Sequence, residues 1–206
     1  MLDIKSRFDN NQKLKLFVLK LLMPRNQARP RVWVKMFVNP VIHKKGKRSL
    51  IRKNVRLDIM PFNKFYIGQD STIEDFSTIN NGVGNINIGD RTRIGISNVL
   101  IGPVTVGNDV MFAQNVVLSG LNHSFEDVTL PPADQPVTTS AITVEDEVWI
   151  GANSIITAGV TVGKHSIIGS GSVVTKNVPP YSVTVGNPAR VIKKYNFDNK
   201  SWDKIS

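Results

Sequence analysis

Apolar residues in this chain return every six positions, a spacing that belongs neither to an α-helix nor to a two-faced strand. Ile88, Ile94, Leu100, Val106, Phe112 and Leu118 stand in one register. Val144, Ile150, Ile156, Val162, Ile168 and Val174 stand in a second, and Ile67, Ile73 and Ile79 begin the pattern. Glycine often follows, as at Gly68, Gly89, Gly107, Gly151 and Gly169. Two inward positions recur in each unit, because the residue four after the aliphatic one is small or β-branched, as at Ser71, Thr92, Val110, Ser154 and Ser172. A six-residue unit cannot bury its own apolar side chain. Stacked units can, by lining a common column and placing a small residue where the chain turns tightly. The spacing predicts an all-β solenoid of short parallel strands, since a sandwich does not keep its turns this regular over fifteen units.

Two interruptions locate excursions from the solenoid. Ile79 to Ile88 is nine residues, and Asn80, Asn81, Gly82, Gly84 and Asn85 mark a turn there. Leu118 to Val144 is 26 residues in place of six, with Gly120, Pro131, Pro132 and Pro136 and no repeat. It should leave the prism as one extruded loop, at about 120–142, where a rigid scaffold can carry function. The expected organisation is a basic, partly helical N-terminal cap over 1–60, a solenoid over 61–192 and a C-terminal tail over 193–206. Within the cap, Leu14, Leu16, Phe17, Leu19, Leu21 and Leu22 suit a helix stopped by Pro24. Val32, Trp33, Met36 and Phe37 suit a second piece entered at Pro30 and closed by Pro40.

Charge divides the chain the same way. Residues 1–60 hold 16 of the 26 Lys and Arg and three of the 16 acids, a surplus of 13 positive charges, so the remainder is slightly acidic. Such an arm could meet nucleic acid, an anionic membrane surface or a phosphorylated acceptor. No nucleic-acid-binding motif or aromatic stacking platform accompanies it, which argues against nucleic acid and leaves peripheral contact with an anionic membrane. The absence of cysteine removes disulfides, thiolate metal sites and a cysteine nucleophile, and suits a cytoplasmic protein. Leu14–Met23 is too short, and too interrupted by Lys15 and Lys20, to span a bilayer.

Three histidines are available for acid–base chemistry. His43 lies in a run of lysines, where positive neighbours disfavour its protonated form, and suits a structural or solvated role. His165 occupies an outward position of a regular unit. His123 opens the extruded loop eleven residues after Phe112, which makes it the candidate general base. No Gly-x-Ser-x-Gly elbow supports a serine nucleophile and no Walker loop is present. A zinc centre would need three histidines, and these lie 80 and 42 residues apart without paired spacing, so no metal is expected.

The unit of aliphatic residue, glycine, two variable residues, a small residue and one more resembles the motif of the hexapeptide-repeat acyltransferases, over about residues 65–192. That resemblance implies three units per triangular coil and a left-handed parallel β-helix, a handedness that spacing alone does not give. The run Val110-Met-Phe-Ala-Gln-Asn-Val-Val-Leu-Ser-Gly-Leu-Asn-His123 is similar to the stretch leading to the catalytic histidine of the galactoside, maltose and xenobiotic acetyltransferases. In character the chain is closest to the O-acetyltransferases of capsule or exopolysaccharide assembly. The resemblance implies direct acetyl transfer from acetyl-CoA to a saccharide hydroxyl, with His123 as base in a cleft between subunits of a homotrimer. Glu126 or Asp127 could then orient the imidazole. Val144 to Gly163 is similar to the family's coenzyme-binding coils, which implies coenzyme contacts at Trp149, Ala152 and Ser170, with Thr175, Lys176 and Arg190 meeting its phosphates. For the acceptor, the family's asparagine one coil before the histidine is Arg93 here. Asn80 and Asn98 nearby join Arg93 as candidate acceptor contacts. The acceptor suits capsule, exopolysaccharide or lipopolysaccharide biosynthesis; the alternatives are N-acetylation of an amino sugar or sugar nucleotide, and a non-catalytic solenoid.

Overall fold

In a computed structural model describing residues 11–205, the chain winds six triangular coils of parallel strands into a left-handed β-helix. The first ten residues of the basic segment and Ser206 lie outside the described residues. Each coil contributes one strand to each of three faces. Coil 4, for example, supplies Val104–Val106 to the first face, Met111–Phe112 to the second and Val117–Ser119 to the third. Partners on one face are 18 residues apart in regular coils, as in Ile88↔Val106, Ile94↔Phe112 and Leu100↔Leu118. This is three six-residue units per coil. Across the long insertion the stacking resumes without slip, as Val106↔Val144, Phe112↔Ile150 and Leu118↔Ile156.

The aliphatic positions of the repeat form the core, with Ile67, Ile73, Ile79, Ile94 and Ile150 fully buried. Each fully buried side chain of this size is worth about 1.5–3 kcal/mol against its exposed state. The small positions do more than save space. The Ser71 hydroxyl donates to the Gly89 carbonyl and accepts from the Thr92 N–H, and Thr92 repeats this with Gly107 and Val110 one coil on. At these positions a buried hydroxyl ties one coil to the next with both of its bonding capacities used, whereas coil 4 has Val110 and Val116 there. The glycines act differently from the expected tight turn. At Gly89 the constraint is close approach, since a Cβ there would collide with the Gly107 backbone. The left-handed backbone falls two residues later, on non-glycine residues such as Asp70, Arg91, Asp109 and Asn153.

Both ends of the prism differ from the expected boundaries. Parallel stacking begins at Lys44–Lys45, inside the segment assigned to the cap, because Lys45, Ile51 and Leu57 occupy the column positions below Ile67, Ile73 and Ile79. The cap proper comprises α1 (Gln12–Leu22), capped by the Asn11 side chain, and a helical segment over 32–42. Pro40 does not close that segment. Its missing N–H is absorbed by a π-helical stretch, Val34–Val38, and the helix continues through α2 (Asn39–Ile42). Val34 is fully buried, and the Asn39 amide donates to the Ile59 carbonyl, which ties this segment to the first coil. At the other end the expected tail is sheet. Ala189–Asn196 pairs antiparallel with Ser182–Gly186, and Ser201–Lys204 pairs with its outer edge. Tyr181, Tyr195, Phe197 and Trp202 hold this ribbon edge to face, with centroids 4.9–5.4 Å apart.

Candidate active site

The insertion leaves the prism at the corner between the third and first faces. Leu121–His123 pairs antiparallel with Val137–Thr139, His123 opposite Val137, so the histidine ends a short hairpin strand instead of riding on a free loop. The hairpin is closed at its base by the Ser140 N–H to the Gly120 carbonyl and beyond His123 by the Ser124 N–H to the Pro136 carbonyl. The imidazole is exposed.

Neither nearby carboxylate orients it within the chain. Glu126 accepts from the Phe125 N–H, and Asp127 accepts from the N–H and hydroxyl of Thr129. Those bonds hold the Asp127 carboxyl below the usual carboxylate range, the Thr129 hydroxyl contributing most. The residue that does organise the loop is Gln135, which sequence reasoning passed over. Its amide donates to the carbonyls of Asp127 and Leu130 and its carbonyl accepts from the Asp127 N–H, with the side chain buried. A glutamine between prolines carries no local signal of this role, because the role exists only once the loop folds back on itself.

The other expected site residues are spread over two corners, the second and third faces and the C-terminal ribbon. Ala152 and Ser170 stack one above the other at the corner between the second and third faces, where the Ala152 carbonyl accepts from the Gly171 N–H at 2.8 Å. Trp149 stands outward on the second face, 46% exposed, between Met111 and Ile167. Thr175 and Lys176 are exposed just after the last strand of coil 6, at the corner from which the hairpin springs. Arg190 is exposed in the C-terminal ribbon, one guanidinium N–H bonded to the Ala189 carbonyl. Arg93 is exposed on the second face below Met111, in line with Trp149. Asn80 lies two rungs below the hairpin's corner, its side chain turned back to the Gly82 N–H.

Asn98 must be withdrawn from the acceptor set. It is fully buried at a small-residue position, where its amide donates to the Gly95 and Ala113 carbonyls and accepts from the Val116 N–H. No acceptor can reach it. His43 is structural, but burial and not its lysine neighbours lowers its pKa. Its Nδ1 accepts from the Phe65 N–H at 3.3 Å. His165 bonds through Nδ1 to Glu147 at 2.9 Å and stacks on Tyr181.

The described chain is thus a β-helix of six-residue units with one histidine-bearing hairpin at a corner. Residues 141–176 match the family described as bacterial transferase hexapeptide (six repeats). The chain is 30% identical over 161 residues to WbbJ of Escherichia coli K12, provisionally named a lipopolysaccharide biosynthesis O-acetyl transferase. That match covers 68% of this chain and 80% of WbbJ. It is 30% identical over 168 residues to Rv3034c of Mycobacterium tuberculosis H37Rv, provisionally named an acetyltransferase, covering 80% of this chain but 55% of that longer protein. Among solved structures the fold is similar to AntD, an N-acyltransferase from Bacillus cereus in complex with dTDP and 3-hydroxybutyryl-CoA. There the TM-score is 0.67 at 23% identity, covering 80% of this chain and 90% of AntD. The chain belongs to the hexapeptide-repeat acetyltransferases.

Proposed function

We propose that this protein transfers an acetyl group from acetyl-CoA to a hydroxyl of a saccharide, in capsule, exopolysaccharide or lipopolysaccharide biosynthesis. The observation that carries this is the placement of His123, an exposed imidazole at the end of a clamped hairpin in a β-helix that is otherwise regular. The relationship to WbbJ over most of that protein's length favours a hydroxyl over an amine. The donor fits the residues present. Ser170 offers a hydroxyl beside the Ala152 backbone, Met111 and Trp149 offer apolar surface to an alkyl chain, and Lys176 and Arg190 offer cations to phosphates. When bound, acetyl-CoA supplies an acyl group activated as a thioester. His123 accepts the acceptor's hydroxyl proton as the oxygen approaches, which needs a neutral ring and no covalent enzyme species.

The site is completed between chains of a homotrimer. One prism holds the hairpin on one corner and Ala152 and Ser170 on another, so two prisms side by side bring the two sets together. Apolar surface supports such contact, since the hairpin carries Phe125 at 71% and Val128 at 94% exposure. His123→Ala should lower turnover by roughly 10² to 10⁴, the usual worth of a general base, with coenzyme affinity retained. Thiol release from acetyl-CoA against matched hydroxyl and amino sugars checks both the base and the acceptor. Full turnover by the variant removes the mechanism, and transfer to amino sugars alone removes the O-acetyl assignment.

A further inference from the structure

The cap turns two apolar stripes away from the prism. On α1, Leu14, Phe17 and Leu21 stand at i, i+3 and i+7 and are exposed, Phe17 at 64%. Lys13 and Lys20 lie together along one edge of that stripe. The neighbouring side of α1 faces the prism, where half-buried Val18, Leu19 and Leu22 line an open groove together with Met60, Phe62 and Val83. On the 32–42 segment Trp33, Phe37 and Val41 repeat every four residues, and Phe37 is 71% exposed. That segment is anchored by Val34, and on its outer stripe Phe37 and Val41 stay largely exposed while Trp33 is partly covered.

Charge decides what covers these stripes. Between Asn10 and Leu57 there are fourteen Lys and Arg and no Asp or Glu. The cores of protein interfaces are depleted in lysine, and a second copy would set like charge against like. Arg29, Arg48, Arg52 and Arg56 pair with Asp58, Asp70 and Glu74 of the prism. The apolar stripes, however, have Lys13, Lys20 and Lys35 beside them, which matches an interfacial helix whose apolar side enters the acyl boundary while its lysines meet anionic headgroups. α1 has eleven residues, and among the described residues no helix is long and apolar enough to cross a membrane. Contact along the surface is the remaining geometry.

We propose that the N-terminal cap docks this protein on an anionic bilayer surface through the α1 stripe and the stripe of residues 33–41. The docking uses no residue of the His123 site and stands apart from the acetyl-transfer reading.

The test is sedimentation of the full chain with vesicles of phosphatidylcholine alone and with vesicles containing phosphatidylglycerol. Binding to the second kind is expected, fading as salt rises. Phe17→Glu with Phe37→Glu, both at exposed positions, should weaken it at least about tenfold while thermal unfolding and thiol release from acetyl-CoA stay unchanged. Lys20→Gln with Lys35→Gln should weaken it by roughly fivefold per charge. The proposal is overturned if the unaltered chain ignores anionic vesicles at low salt, or if the double phenylalanine variant binds them equally well. A change in that variant's mass by light scattering also overturns it, by assigning the stripes to contact between copies.

Discussion

Gly89 and Phe76 occupy neighbouring corners and obey opposite steric rules. A Cβ on Gly89 would meet the Gly107 backbone of the next coil, which cannot move without parting two strands. Gly89→Ala should therefore cost about 1–3 kcal/mol, read as a lower urea midpoint at unchanged slope. Phe76 has φ +62° and is 64% exposed, so it bears the left-handed conformation without recovering much by burial. That conformation costs a non-glycine residue about 1–2 kcal/mol, and glycine gives back about 0.5–1 in chain entropy. Phe76→Gly should raise stability by up to about 1 kcal/mol; a lower midpoint would mean that the phenyl ring packs more than its exposure implies. His43 sets a pH window. Burial holds its pKa below the ordinary 6.5, so the unfolded chain binds the proton first as pH falls. Stability is then full above about pH 6.5 and declines toward pH 5. Asp70 and Asp109, held low by hydrogen bonds from Arg48 and Arg91, stay ionised in that window and do not contribute. His43→Gln should flatten the dependence of melting temperature on pH between 7 and 5.

At the scale of elements, the hairpin is only as well placed as Gln135 holds it. Gln135→Ala removes three hydrogen bonds that join residues 127 and 130 to the hairpin's return strand. Amide exchange should then rise across residues 121–139 and turnover should fall about tenfold, while the melting temperature stays within a degree or so, because the prism stacks across the insertion without it. An unaltered exchange pattern would show the loop to be held by other contacts. The contrast between Gln135 and His123 shows what a sequence can disclose. The place of His123 on the excursion was legible because the repeat stops just before it. The inward column was legible because each position is enclosed by coils above and below, so its residue type is forced every six positions. Coil 1 was hidden because Lys45 takes a column position at the open end, where no coil lies beneath it. The C-terminal ribbon was hidden because it has left the six-residue pattern for antiparallel pairing over one face. Asn98 misled for a related reason, since an asparagine amide can take the place of the usual hydroxyl in stitching coils and yet looks available for binding.

The whole prism presents three unlike faces. Outward on the first face stand Thr105, Thr143 and Thr161; on the second Met111, Trp149 and Ile167; on the third Val99, Val117, Ile155 and Val173. From the fourth coil upward two adjacent faces are thus apolar and one is polar, while lower down Thr72 and Arg93 stand outward on the second face and Arg56 and Thr78 on the third. The apolar stretches are the pattern expected when each prism touches two neighbours around a threefold axis and leaves one side to water. If the hairpin of one chain serves the coenzyme corner of the next, two defective chains can repair each other. His123→Ala lacks the base, and Ser170→Trp obstructs the corner beside Ala152, so neither variant alone should turn over. Refolded together in equal amounts as random trimers, a site between two chains is intact when one supplies His123 and its neighbour supplies Ser170, which occurs in roughly one quarter of sites. Recovery of about that fraction of normal turnover is expected, and it should vanish when the variants are folded separately and then mixed without exchange of chains. No recovery after joint refolding would place His123 and the coenzyme corner in the same chain, and the two apolar faces would then need another explanation.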